Sequence, residues 1–150
     1  MEISVRKTRP VRAPRQRMQA LGEALLRAEG WPADAEVDVW FCSDEEIQAL
    51  NRDHRAKDRP TDVLSFPQYA PGERPNPDLP VALGDVVMSV DTVSRQAAER
   101  DATVGSEIVW LWLHSLLHLI GYDDDTDDGA AEMDARAGAI LDGRASRTLP

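Results

Sequence analysis

One cysteine, Cys42, stands in the whole of this 150-residue sequence. A lone cysteine excludes an internal disulfide and suits a reducing cytoplasm. Set in the apolar run VDVWFC, it reads as a buried side chain rather than a reactive thiolate. No apolar run approaches the roughly 18 residues that a membrane span needs, so no membrane role is expected. The basic opening MEISVRKTRPVRAPRQRM has no apolar core segment of the kind a secretory signal carries. Internal repeats and low-complexity stretches are absent too. An excess of positive charge is also missing: the net charge is −10, the wrong sign for a protein that meets a polyanion over its whole surface.

The composition, 42% apolar and 29% charged, is that of a globular protein. A chain of this length is expected to form one domain over residues 1–150, large enough to bury its own core. The charge is unevenly spread. Residues 1–60 hold 11 basic and 11 acidic side chains, and residues 61–150 hold 6 and 16, so the second part carries the entire imbalance. Arg6, Lys7, Arg9, Arg12, Arg15 and Arg17 form a run with no acid among them. Such a run suits a phosphate backbone or a solvated helix face, and charge alone favours the second.

Periodicity places the elements. Residues 2–6 alternate, with Ile3 and Val5 on one side, as in a strand. Met18, Leu21, Leu25 and Leu26 recur at helical spacing up to Gly30. Residues 36–42 alternate again as a strand, and Ser43 with Glu46 forms a capping box that opens a helix through Ile47 and Leu50. Residues 62–66 are short, apolar and β-compatible. Residues 68–80, with four prolines and Gly72, form a loop, and residues 83–90 form the last strand. Helices are expected at about 91–100, 103–120 and 128–142. The middle one is apolar on nearly every side, which marks a buried central helix stopped by Gly121. The last carries Met133, Ala137, Ile140 and Leu141 as its inner stripe. Strands early and helices late predict an α+β fold, a small mixed four-stranded sheet packed with helices.

Two of the three histidines lie four apart on the central helix, in H-S-L-L-H at 114–118. Positions i and i+4 share a helix face, so both imidazoles can address one atom. Gly121 lets the chain turn back, and Asp123, Asp124 and Asp125 follow at once. His114, His118 and one of these aspartates, Asp124 foremost, would make a divalent-metal site of the zinc type with a position left for water. The opposing reading is a pair of hydrogen-bonded core histidines. Burying two unpaired imidazoles would cost on the order of 2–7 kcal/mol each, which weighs against it. Most of the acids among Asp123, Asp124, Asp125, Asp127 and Asp128 are expected to cap the last helix and complement its dipole.

At these residues the chain resembles the YbeY-type bacterial endoribonucleases that mature ribosomal RNA. The resemblance rests on R-P-T-D-V-L-S-F-P at 59–67, G-D-V at 84–86, H-S-L-L-H-L-I-G-Y-D at 114–123 and E-M at 132–133, in that order and over nearly the whole length. It implies a zinc site of pattern His-x3-His-x5-His, in which the first two ligands are His114 and His118 and the third position is Asp124, a departure from histidine. A carboxylate there lowers the Lewis acidity of a bound metal and moves preference towards harder ions such as manganese. The resemblance further implies hydrolysis of single-stranded RNA, 3′-end processing of small-subunit ribosomal RNA and ribosome quality control, with one zinc per chain. The partners are then ribosomal RNA and the small ribosomal subunit, in the cytoplasm.

Charge building on a phosphate needs a cation. Arg59 is the candidate, against a structural role paired with Asp62. His54, near Arg52, Arg55 and Lys57, either lines an RNA path or is a plain surface histidine. A zinc peptidase would place its base, a glutamate, directly after the first histidine, where this chain has Ser115. A non-haem iron oxygenase would share the two-histidine-one-carboxylate set but needs a many-stranded β framework. A ribosome-assembly factor with a structural metal site and no cleavage is the alternative of a different class.

Overall fold

The computed structural model describes residues 1–143, so the last seven residues of the expected 1–150 domain lie outside it. In chain order the elements are β1 (Glu2–Lys7), α1 (Arg15–Ala28), β2 (Glu36–Cys42), α2 (Asp44–Arg55), β3 (Val63–Pro67), β4 (Ala82–Ser89), α3 (Val90–Glu99), α4 (Val104–Leu119) and α5 (Asp127–Leu141). The strands form one sheet in the order β1-β2-β4-β3. β1 and β4 run parallel to β2, and β3 runs antiparallel to β4. The expected α+β class and mixed four-stranded sheet are both present.

Alternation along the strands decides which face is covered. Val37, Val39 and Phe41 of β2 join Ile3, Leu83, Val86 and Met88 in the main core, against Met18, Leu25 and Leu26 of α1 and the apolar body of α4. Cys42, one residue out of phase with Phe41, falls on the other face with Ile47, Leu64 and Val87 under α2. Burial pushes its thiol up to about 12, so it is a packing residue and not a thiolate. The Ser43–Glu46 capping box is formed: Ser43 Oγ accepts from the Glu46 amide at 3.2 Å, and the Glu46 carboxylate accepts from the Ser43 amide at 3.0 Å.

Helix α4 is the centre of the molecule. Ile108, Val109, Trp112, Leu113, Leu116, Leu117 and Leu119 are each at most 1% exposed. Fully burying one such side chain stabilises by about 1.5–3 kcal/mol, so this helix holds a large share of the core energy. The Trp112 indole N–H donates to the Met18 carbonyl at 2.8 Å, which fixes the register of α4 against α1. Gly121, at φ +111°, ends the helix. Its amide donates to His118 O at 3.1 Å and that of Tyr122 to Leu117 O at 3.0 Å, the paired bonds of a glycine-terminated helix.

Ser115 is fully buried, and its hydroxyl has no hydrogen-bond partner among the described residues. An unmet buried hydroxyl costs about 1–3 kcal/mol, and alanine is also the better helix former. Ser115→Ala is therefore expected to raise the thermal midpoint by a few degrees; a lower midpoint in a calorimetric scan would show that the hydroxyl is satisfied in solution.

Two local expectations need correction. The basic run is not one helix face, because residues 6–17 span the end of β1, a connecting segment and the first turn of α1. Arg6 lies over the Trp40 ring at 4.4 Å, Arg9 pairs with Asp91 at 2.9 Å, and Arg15 donates to the Ile3 carbonyl at 3.0 Å. At α5 the capping side chain is Thr126, whose hydroxyl accepts from the Gly129 amide at 3.0 Å. Of the acidic cluster only Asp127 and Asp128 sit in the first turn, where they complement the dipole.

Candidate active site

Helix α4 is so deeply packed that only a narrow strip reaches the surface. His114 and His118 lie on that strip, with side chains 17% and 29% exposed, while Ser115 between them points into the core. The Nδ1 of His114 is 2.9 Å from the carbonyl of Trp110, one turn back, and the Nδ1 of His118 is 3.1 Å from the carbonyl of Tyr122. A carbonyl can only accept, so each Nδ1 carries a proton and donates it. In a neutral ring so anchored the Nε2 is the nitrogen left to ligate, the arrangement found in metal-ligating histidines.

The two Nε2 atoms face different carboxylates. His118 Nε2 is 3.7 Å from Asp124 Oδ2, a separation that bonds of about 2.0–2.2 Å to one ion can span. His114 Nε2 is 2.7 Å from Asp134 Oδ1 on α5. A lone pair does not face a carboxylate at that distance without a shared cation, whether proton or metal ion. The donor types of this strip, two imidazoles with carboxylates beside them, are those a divalent cation accepts. Among the described residues, however, no three His, Cys, Asp or Glu side chains are gathered to hold a single ion. His114 is turned to Asp134 rather than to Asp124.

His118 and Asp124 lie on the wall of a cleft of about 770 Å3, together with Tyr122, Asp123 and Asp125. The cations Arg55, at the end of α2, and Lys57 just beyond it also line the cleft, with His54 and Asp62. The His54 ring meets Phe66 edge to face, with centroids 5.1 Å apart. Arg59 is exposed and is not among the residues lining the cleft. Its expected partner Asp62 instead accepts from the Val63 amide at 2.7 Å. The backbone of Arg59 is nonetheless tied down, since buried Asn51 on α2 donates its side-chain amide to the Arg59 carbonyl at 2.9 Å.

Asp85 of the G-D-V motif lies elsewhere. It lines a separate acidic hollow of about 180 Å3 with Glu2, Glu36 and Asp38, and its carboxyl is pushed up first by burial and then by Asp38. Sequence reading missed Asp134, whose only signal is that it follows the E-M motif. It also missed the group behind Tyr122, whose hydroxyl donates to Glu29 at 2.5 Å and is raised to about 12 by burial and by that carboxylate.

A family model described as "Endoribonuclease YbeY" matches residues 3–144. The chain belongs to the YbeY family. A relative from Allorhizobium ampelinum named endoribonuclease YbeY is 45% identical over 124 residues, covering 79% of this chain and 72% of the relative. Another from Moorella thermoacetica is 43% identical, covering 81% and 80%. The solution structure of TM1509 from Thermotoga maritima shares the fold, with a TM-score of 0.56 and 25% identity over 97% of this chain and 93% of that one. No helix among the described residues is long and apolar enough to cross a membrane.

Proposed function

We propose that this YbeY-family chain is a metal-dependent endoribonuclease of the cytoplasm. It cuts single-stranded RNA during small-subunit ribosomal RNA 3′-end maturation and ribosome quality control. The observation that carries the reading is the approach of His118 Nε2 to Asp124 Oδ2 in a cleft that Arg55 and Lys57 also line. His114, His118 and Asp124 would hold one zinc ion. When bound, such an ion acidifies a water or polarises a phosphoryl oxygen. The rest of the work falls to side chains of this chain. Arg55 and Lys57 hold phosphates of the strand along the cleft, and Arg59, free of an ion pair with Asp62, meets the charge that develops on the reacting phosphate. Ribosomal RNA and the small ribosomal subunit are the partners.

The test is metal content by mass spectrometry, beside cleavage of a single-stranded RNA, for the wild type, Asp124→Ala and Asp124→His. About one zinc per chain is expected in the wild type, lost in the alanine protein and kept in the histidine one, with cleavage following metal. Wild-type protein that takes up no metal when zinc or manganese is supplied would sink the metal site. The turn of His114 towards Asp134 favours a second reading, an assembly factor without cleavage. Binding to small ribosomal subunits with no metal-dependent cutting would establish it.

A further inference from the structure

The Nδ1 anchor of His118 is a single backbone carbonyl, that of Tyr122, and three elements converge to hold the residue that bears it. Glu29, the C-cap of α1, accepts from the Tyr122 hydroxyl at 2.5 Å with one carboxylate oxygen. With the other it accepts from Arg136 Nη1 of α5 at 2.8 Å. The Arg136 guanidinium also lies 5.2 Å from the centre of the Tyr122 ring, and its remaining donors reach Glu132 at 3.2 and 3.3 Å. The Tyr122 side chain is therefore fixed at its hydroxyl and over its face. At the other end of the residue the amide is bonded to Leu117 O at 3.0 Å. The preceding Gly121, at φ +111°, has no side chain to restrain the turn by itself.

We propose that Tyr122, fixed by Glu29 and Arg136, is a positioning residue that sets the tautomer of His118. With the Tyr122 carbonyl held towards Nδ1, the proton stays on Nδ1 and the Nε2 lone pair faces Asp124 and the cleft. Were the peptide after Tyr122 free to rotate, Nδ1 would lose its acceptor, and the ring would place its proton on either nitrogen. A proton on Nε2 blocks the lone pair from any ligand. Glu29 and Arg136 are not themselves among the residues lining the cleft and reach it through Tyr122. The proposal rests on the reading that His118 belongs to the active site.

The experiment is nitrogen NMR of the full chain labelled at histidine, at about pH 8, above the ordinary histidine range. Ring signals are assigned by comparison with His54→Gln and His114→Gln proteins. In the wild type His118 is expected almost wholly as the Nδ1–H form, with or without a cation on Nε2. Tyr122→Phe and Glu29→Gln are expected to shift it to a mixture and to lower kcat for RNA about 10–100-fold with KM little changed, the range of an outer residue that orients a ligand. Arg136→Lys, which keeps a charge for Glu29, is expected to stay close to the wild type. Should Tyr122→Phe fail to fold, the surface variant Arg136→Gln gives the same reading. An unaltered His118 spectrum in folded Glu29→Gln and Arg136→Gln proteins would overturn the proposal. Undiminished cleavage by His118→Ala would instead remove the active-site reading, whatever the tautomer of the ring.

Discussion

Gly84→Ala is expected to cost at least about 3 kcal/mol and to lower the thermal midpoint by roughly 10 °C. Gly84 opens the G-D-V motif within β4, at φ +135°, a conformation that a residue with a Cβ rarely adopts. A Cβ there would land on the backbone carbonyl of Phe66, closer than real Cβ contacts come, and within 3.1 Å of Pro67 Cα. Both obstacles are backbone of β3, the strand that pairs with β4 at this point through Pro67 and Gly84. Nothing flexible can move aside, so either β3 separates from β4 or the native sheet fails to form. A loss of this size is a large fraction of the 5–15 kcal/mol that holds an ordinary domain together. Gly105→Ala, at a helical glycine with no neighbour within 4 Å of the added carbon, is the control and should melt at or above the wild type. Thermal melts by circular dichroism decide the matter. A Gly84→Ala midpoint within about 2 °C of the wild type would mean that β3 can shift at little cost. Because Phe66 also lines the cleft, a partial loss of β3 pairing should reach function, as weaker RNA binding by the part of the protein that stays folded.

What the sequence made legible was whatever leaves a local signature. The 3.6-residue period of α4, the alternation at 36–42, the proline-rich loop and the Ser43–Glu46 box are all contained in short windows, and each is found within a residue or two of its expected place. The candidate site owes its local part to the same kind of signal. His114 and His118 share a helix face by spacing alone, and Gly121 announces the turn that returns Asp124 to His118. What stayed hidden depends on packing between distant segments. Asp134 reaches His114 only because α5 docks beside α4, and an acid on an exposed helix face has no periodicity to mark it. Glu29 and Tyr122 are 93 residues apart, and no pattern in either segment points to the other. Arg59 stood out through its motif, yet Arg55 and Lys57 are the cations that line the cleft, because α2 ends there.

Replacing each histidine in turn tests its place in the candidate site. His118→Ala removes the nitrogen that faces Asp124 in the cleft, and with it one of the three proposed ligands. If that cation supplies several kcal/mol of charge stabilisation at the phosphate, about 4 kcal/mol is a fair share, and cleavage should fall on the order of 10^3-fold. The fold should survive, since the side chain is 29% exposed and lies outside the main core. His114→Ala should have the same effect on cleavage if His114 is a ligand, although its Nε2 is now bonded to Asp134. Asp134→Asn tells the two roles apart. An amide in place of the carboxylate releases the charge that holds His114 towards α5, and a ring so freed can turn to the His118–Asp124 pair. Asp134→Asn should then bind zinc as tightly as the wild type or more tightly, while His114→Ala binds it weakly. If instead Asp134→Asn weakens zinc binding 10–100-fold, Asp134 orients a bound ligand in the manner of an outer carboxylate. Equal zinc affinity in all three proteins would leave His114 outside the metal site, with the pair of His118 and Asp124 as its whole protein contribution.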